Sequence, residues 1–202
     1  MKRMIGAVLL AALAVGGCST AIGHYSLVAT PQPIPIEEGQ FSAPLSMPDF
    51  QISWLITDRS LGFRMVNSSS ETLTIVWDQV TFVDPSTRSV GVIHTGVRYL
   101  EAEKSQTPTI VPVGTFVEET LAPKDRVEWK GYWIVSPFLG DKSDQERMTG
   151  SKFLIQLAIS KGTSIQRYPF VFEIGKVDRT PGAAEMLGHQ LARFIDWVKK
   201  MF

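Results

Sequence analysis

The 202-residue chain contains a single cysteine and no excess of charge of either sign. One cysteine excludes an intramolecular disulfide, so packing alone must hold the core together. With 20 basic and 20 acidic residues, the chain has no cationic excess to neutralise phosphates, and nucleic-acid binding has no electrostatic support. The apolar fraction of 44% nevertheless suits a folded chain, and the length favours one domain plus a linker.

The sequence also lacks local motifs for catalysis or cofactor binding. No glycine-flanked serine marks a nucleophile elbow, and no glycine-rich loop is available to cradle phosphates. The three histidines, His24, His94 and His189, lie more than 60 residues apart, which disfavours a compact zinc motif. We therefore predict no catalytic residue, no metal site and no cofactor, and a hydrolase site assembled in three dimensions is a minor alternative.

Residues 141–150 form a charged stretch with three carboxylates. Asp141, Asp144 and Glu146 are oxygen donors of the kind that calcium prefers. Lys142 and Arg147 lie among them and oppose the binding of a cation. The pattern favours a solvated loop.

The N-terminus has the parts of an export signal. Lys2 and Arg3 precede an apolar run over residues 4–15, which is shorter than the roughly 20 residues that span a bilayer. The run ends in Val15-Gly16-Gly17-Cys18, an aliphatic residue followed by two small residues and a cysteine. This tetrapeptide resembles the lipobox of bacterial lipoprotein precursors.

The resemblance implies that residues 1–17 are removed and that Cys18 becomes a lipidated N-terminus with a diacylated Sγ and an acylated amine. Two or more acyl chains hold a protein stably on a bilayer, because each buried methylene contributes about 0.8 kcal/mol. Ser19 implies sorting to the outer membrane, facing the periplasm. Without Lys2 and Arg3 the mature chain has 18 basic and 20 acidic residues, so the lipid alone would supply the attachment.

Residues 18–48 are rich in proline and are predicted to form a tether. Prolines favour extended conformations, and about thirty residues at ~3.1 Å each would reach on the order of 90 Å from the bilayer. Ile34 and Ile36 alternate with prolines, and the alternative is that they form an edge strand packed along the domain. The prolines are Pro31, Pro33, Pro35, Pro44 and Pro48.

Residues 49–177 alternate between apolar and polar side chains, as half-buried strands do. Seven to nine short strands with turns between them predict an immunoglobulin-like antiparallel β-sandwich, and a small barrel is the alternative. The alternation slips near Asp78 and Gln79, which predicts a bulge or a strand that passes between sheets. The clearest apolar series are Phe50, Ile52, Trp54 and Ile56; Phe153, Ile155, Leu157 and Ile159; and Tyr168, Phe170, Phe172 and Ile174.

The tryptophans on these strands are predicted to lie in the core rather than on a binding surface. Val127, Trp129, Trp133 and Val135 are assigned to the buried face of one strand, which Gly131 interrupts. Trp54 and Trp77 are assigned to the core in the same way.

Residues 181–202 are predicted to form an amphipathic helix. Its apolar residues recur at helical spacing and form one stripe. The pattern favours packing of this stripe on the sandwich; a partner-binding helix and an interfacial membrane helix are alternatives. The stripe consists of Leu187, Leu191, Phe194, Ile195, Val198 and Phe202.

One cluster of polar and aromatic residues, His94, Arg98 and Tyr99, is the candidate binding surface, because arginine and tyrosine are enriched in recognition surfaces. The sequence thus predicts a non-catalytic binding or assembly module of the cell envelope, anchored through Cys18 and docked on another envelope protein. A small-ligand or lipid carrier is the alternative, and it would need an apolar cavity.

Overall fold

The computed structural model describes residues 20–28, 31–98 and 104–180. Cys18, Tyr99, the predicted export signal and the predicted C-terminal helix lie outside these residues. The chain divides into two units; one runs from Gly23 to Val177, and described residues 20–22 and 178–180 belong to the other. No helix in the described part of the chain has the length and apolarity needed to cross a bilayer.

The described residues form a mainly β structure with a single short α-helix, α1 (Lys142–Arg147), which confirms the predicted fold class at this level. Short 3-10 turns at Trp77–Gln79 and Lys124–Arg126 interrupt the chain. The strands are β1 (Thr20–Leu27), β2 (Ile34–Glu37), β3 (Leu45–Ser46), β4 (Phe50–Ile56), β5 (Leu61–Asn67), β6 (Leu73–Ile75), β7 (Thr81–Val83), β8 (Ser89–His94), β9 (Thr109–Val111), β10 (Phe116–Pro123), β11 (Val127–Trp129), β12 (Trp133–Val135), β13 (Lys152–Lys161) and β14 (Ser164–Thr180).

Twelve strands form one curled antiparallel sheet in the order β2-β1-β14-β13-β7-β8-β10-β5-β4-β3; β6 pairs with β13, and β9 pairs with β6. Strand β8 joins the two halves of the sheet. Its first half pairs with β7 through Ser89 and Gly91, and its second half pairs with β10 through Val92 and His94. The two halves meet between Gly91 and Val92, and the last residue of β8, His94, lies two residues further along, opposite Leu121 on β10.

The predicted slip at Asp78 and Gln79 is a bulge. Strands β6 and β7 both pair with β13, but six steps along the chain from Ile75 to Thr81 match only three steps along β13. The 3-10 turn at Trp77–Gln79 takes up the extra residues. It buries the Trp77 side chain between the two strands.

Aromatic side chains fill the space between the two halves of the sheet. Trp54 on β4 contacts Phe170 and Phe172 on β14, with ring centroids 5.0 and 5.2 Å apart. Strand alternation places these rings on the inner face, where burial stabilises the fold by about 1.5–3 kcal/mol for each large side chain. Other fully buried aromatic residues include Tyr25, Phe50, Phe63, Trp77, Phe82, Phe138 and Phe153.

The tryptophan assignments are partly wrong. Trp54 and Trp77 are buried, as predicted, but Trp129 is 61% exposed. Strands β11 and β12 form a two-stranded hairpin separate from the large sheet, so alternation alone does not give them a covered face.

The structure favours the edge-strand alternative for the proline-rich segment over a spacer that stands away from the domain. Strand β1 lies between β2 and β14, and Tyr25 and Leu27 point into the core. Strand β1 approaches β14 so closely at Gly175 that a Cβ there would lie 2.9 Å from the His24 carbonyl oxygen. Ile36 on the edge strand β2 is buried, so apolar burial outweighs the extended preference of the neighbouring prolines.

The charged stretch at residues 141–150 is a capped helix instead of a loop. Asp141 accepts a hydrogen bond from the Asp144 N–H (2.9 Å), and the Asp144 carboxylate accepts one from the Asp141 N–H (3.0 Å). This reciprocal capping box satisfies two backbone donors at the start of α1. Two of the three carboxylates in this stretch thus accept hydrogen bonds from the backbone.

Candidate functional site

His94 is the predicted site residue that the structure places in a defined environment. Its ring stacks on the buried Trp77 ring, with centroids 4.2 Å apart and an angle of 6° between the planes. The Trp77 indole N–H donates to Thr109 Oγ1 at 2.9 Å. The bulge at residues 77–79 and the start of β9 therefore fix the surface on which the imidazole rests.

Glu119 on β10 completes a ring of four contacts that joins His94, Trp77, Thr109 and Glu119 itself. Its Oε1 accepts a hydrogen bond from the Thr109 hydroxyl at 2.9 Å, and its Oε2 lies 3.4 Å from His94 Nδ1. An ionised carboxylate only accepts, so it favours the tautomer with a proton on Nδ1. His94 Nε2 is then an acceptor, and it is buried without a hydrogen-bond partner. The side chains of His94 and Glu119 are each only 9% exposed.

Gln106 holds the backbone around His94 in place. Its side-chain amide donates to the Val92 carbonyl at 2.7 Å, and its side-chain oxygen accepts the His94 N–H at 3.3 Å. Its own N–H donates to Asp78 Oδ1 at 2.9 Å, and the Ser105 hydroxyl donates to Asp78 Oδ2. These bonds from Ser105 and Gln106 lower the pKa of Asp78, against an opposing contribution from burial.

Two open clefts lie on either side of His94. The cleft that we name the polar cleft has a volume of about 510 Å³ and is lined by His94, Ser105, Thr107 and Glu119, among others. A second cleft of about 400 Å³ has apolar walls that include Ile93, Leu121 and Val135. His94 and the three residues that follow it line both clefts, so a polar recess and an apolar one adjoin at the end of β8.

Of the three residues of the predicted binding surface, the structure describes His94 and Arg98, and Tyr99 lies outside the described residues. Arg98 is exposed and follows the end of β8. The His94 ring contacts Trp77 and Glu119.

The sequence indicates that one carboxylate points into the fold here, because Glu118 and Glu119 are adjacent on a strand and must face opposite ways. Glu118 forms an exposed ion pair with Arg64, whereas Glu119 points inward, as strand alternation requires. What the sequence does not reveal is that the inward carboxylate meets His94.

The site has an oriented imidazole without an assembled nucleophile. The carboxylate holds His94 as it would hold a general base, but the nearby Ser105 hydroxyl donates to Asp78. Among the described ranges, no group of three His, Cys, Asp or Glu side chains is arranged to hold a metal ion. The His94 imidazole lies beside a recess whose lining includes hydroxyl groups of Ser105, Thr107 and Thr109, which are able to form hydrogen bonds.

Comparisons with protein-family models, with curated proteins and with solved structures found no match for this chain.

Proposed function

We propose that this protein is a lipid-anchored, non-catalytic binding module of the bacterial cell envelope. The observation that carries the proposal is the position of Cys18, the sole cysteine, at the end of a lipobox-like tetrapeptide and two residues before β1 begins. Acylation there would attach the domain to the outer membrane on its periplasmic side.

We propose that the polar cleft beside His94 is the binding site, occupied by a polar group of a partner envelope protein. The Thr107 hydroxyl and the Glu119 carboxylate line this cleft and can form hydrogen bonds with such a group. The stacking of His94 on Trp77 and the hydrogen bond from Thr109 to Glu119 support this role, because they fix one wall of the cleft before any ligand arrives.

Docking by strand addition has less support than docking at the cleft. Prolines flank or interrupt the edge strands of the large sheet: Pro35 lies within β2, Pro44 precedes β3, and Pro108 and Pro112 flank β9. Proline cannot donate to a strand ladder, and an edge that contains it is a poor template for a partner strand.

A carrier of lipids or other apolar ligands is the second candidate. It would use the apolar space between the two halves of the sheet, but Trp54, Phe63 and Phe172 fill that space with rings in contact. The second cleft, with its apolar walls, is one place that could hold a small apolar ligand. A hydrolase has less support, since Ser105 is bound to Asp78.

We also propose that the curled sheet is a divergent immunoglobulin-like β-sandwich. The contact between the Trp54 ring on β4 and the Phe170 ring on β14, with centroids 5.0 Å apart, supports two packed layers, although β8 makes them continuous. The predicted amphipathic helix at residues 181–202 would add an α-helical element after β14. Its apolar stripe would need a partner surface, on the domain or elsewhere.

The anchor is tested by mass spectrometry of the native protein and of Cys18→Ala in intact envelopes. The expected result is a processed, acylated N-terminus that Cys18→Ala loses, together with membrane retention. A bare Cys18 or retained residues 1–17 would refute the anchor.

The binding site is tested by in vivo photocrosslinking from Thr107 in the polar cleft, with the exposed Ile165 as the matched control position. A reproducible adduct from position 107 only, which Glu119→Gln weakens, is the expected result. Identical adducts from both positions would refute the cleft as the site.

A further inference from the structure

The hairpin β11–β12 presents two large aromatic side chains at its tip. Trp129 is 61% exposed and Tyr132 is 67% exposed. Side chains of both types have a large apolar surface, which proteins usually bury in part. The Lys130 N–H donates to the Tyr132 carbonyl at 2.9 Å, and Gly131 has a φ of +81°, so the turn between them is tight. The hairpin forms its own two-stranded sheet, separate from the large one, and both side chains at its tip are exposed.

The base of this hairpin lies at the same end of the domain as Gly23, the first residue of the main unit. A series of backbone hydrogen bonds 2.8–3.1 Å long connects the two places. In each bond the N–H of the first residue donates to the carbonyl of the second, and neighbouring residues along the chain link one bond to the next. In order from Gly23 to the hairpin, the bonds are Glu38 to Gly23, Gly39 to Ile56, Phe138 to Asp58, and Ser136 to Arg126. We name this end of the domain the anchor pole.

Chain length limits the distance between the anchor pole and the proposed lipid. Gly23 follows Cys18 by five residues. Even a fully extended chain covers at most about 18 Å over five residues, at ~3.6 Å each. A lipidated Cys18 would therefore hold the anchor pole near the lipid headgroups.

We propose that Trp129 and Tyr132 insert into the headgroup region of the same bilayer as a second, non-covalent contact. The inference rests on the proposed anchor at Cys18. Tryptophan and tyrosine are enriched at membrane interfaces, because one part of each ring system is apolar and another forms hydrogen bonds. Lys130 lies between them and forms an ion pair with Glu128 at 3.1 Å, so the tip carries little net charge and suits a zwitterionic surface.

The test uses full-length lipidated protein labelled with 5-fluorotryptophan and reconstituted into phosphatidylcholine vesicles that contain a gadolinium-chelating lipid. Trp129→Phe assigns the Trp129 fluorine resonance by its loss. The expected result is that the Trp129 resonance loses most of its intensity when the paramagnetic lipid is added. The resonances of the buried Trp54 and Trp77 should be less affected.

Ile165→Trp supplies the matched control from the opposite end of the domain. Ile165 is 40% exposed and lies beside the turn where Lys161 pairs with Asp49, just before β4 begins, whereas the anchor pole lies where β4 ends. The seven residues of β4 separate the two ends by roughly 20 Å. A tryptophan at position 165 should keep its intensity.

Flotation of the same samples distinguishes the two proposals. Protein that floats with the vesicles while Trp129 keeps its intensity would overturn the insertion of the hairpin and leave the anchor in place. That result would also indicate a protein partner for the aromatic tip. Protein that does not float would overturn both proposals.

Discussion

Glu119 shows how one buried carboxylate organises the candidate site. Its two oxygens serve two different partners, the Thr109 hydroxyl and the His94 ring, and so join β9 to the end of β8. Stacking on Trp77 fixes the plane of the imidazole, but the same plane is kept when the ring flips by 180° about its Cβ–Cγ bond. The Glu119 carboxylate distinguishes the two orientations, because Nδ1 faces it in one of them and a ring carbon faces it in the other.

Glu119→Gln should destabilise the fold because it removes the charge assistance from two hydrogen bonds of a largely buried carboxylate. We expect the free energy of unfolding in urea to fall by about 1–2 kcal/mol. Glu118→Gln is the matched control on the same strand, since its exposed pair with Arg64 should contribute less than ~0.5 kcal/mol. Equal losses for the two variants would contradict the assigned role of Glu119.

The sequence predicts part of this site and misses the rest for a physical reason. His94 stands out because the chain has only three histidines, and adjacent Glu118 and Glu119 indicate that one carboxylate faces inward. The contact of His94 with Trp77 depends on a bulge 17 residues upstream. Its contact with Glu119 depends on how β8 pairs with β10. Both are tertiary relations that no local spacing encodes.

Asp78 makes a pH-dependent contribution to stability through its hydrogen bonds from Ser105 and Gln106. Its pKa is lower in the folded chain than its ordinary value of 3.8, so the ionised form favours folding. This contribution is complete above about pH 5 and declines as the pH falls below 3.8 toward the folded pKa. Asp78→Asn should therefore cost less stability at pH 3 than at pH 6 in urea unfolding. A cost that does not change with pH would contradict the assignment.

At the scale of the elements, the prolines of residues 31–48 protect strands from pairing with other chains. Glu38 N–H donates to the Gly23 carbonyl, and hydrogen-bonded pairs alternate along an antiparallel ladder, so Tyr25–Ile36 and Leu27–Ile34 are also hydrogen-bonded pairs. Ser26 and Pro35 face each other between the last two pairs, where the backbone N–H and C=O groups point away from the partner strand. The N–H that Pro35 lacks would have faced the open edge of the sheet.

Pro35→Val should restore a donor to this edge and promote self-association. Sedimentation velocity of the full-length protein in detergent is expected to give a larger, concentration-dependent sedimentation coefficient for the variant. Pro85→Val, in the turn that follows β7, is the control and should sediment like the wild type. If neither variant associates, the proline does not protect the edge.

Alternation of apolar residues predicts the strands β4, β5, β13 and β14 well, because each has one face on the aromatic core. The same alternation fails for β11 and β12. Alternation marks a face that is able to be buried, but burial needs a covering layer, and in this fold the hairpin is separate from the large sheet. The helix α1 carries a readable signal in Asp141 and Asp144, three residues apart as in a capping box.

At the scale of the whole molecule, the pairing of β1 changes how the proposed anchor would work. Residues 20–28 and 31–48 do not act as a spacer when β1 and β2 belong to the sheet. Only Ser19 then lies between Cys18 and β1. The start of β1 is held to its surroundings, because Glu38 accepts the Gly23 N–H at 2.6 Å and also pairs with Lys142 on α1. A domain attached in this way would lie against the membrane surface instead of reaching across the periplasm.

A flexible insertion tests this arrangement. Twenty Gly/Ser residues inserted after Ser19 should add on the order of 25 Å between the bilayer and the domain, from the root-mean-square length of such a linker. Neutron reflectometry of supported bilayers measures that distance. Both proteins should carry Trp129→Ser and Tyr132→Ser, so that the hairpin cannot hold the longer chain at the surface.

Without the insertion, the protein layer is expected to begin within about 18 Å of the headgroups, the span of five extended residues. A layer that begins tens of ångströms away in the chain without the insertion would mean that β1 leaves the sheet on the membrane, and a spacer would then be the better description of residues 18–48.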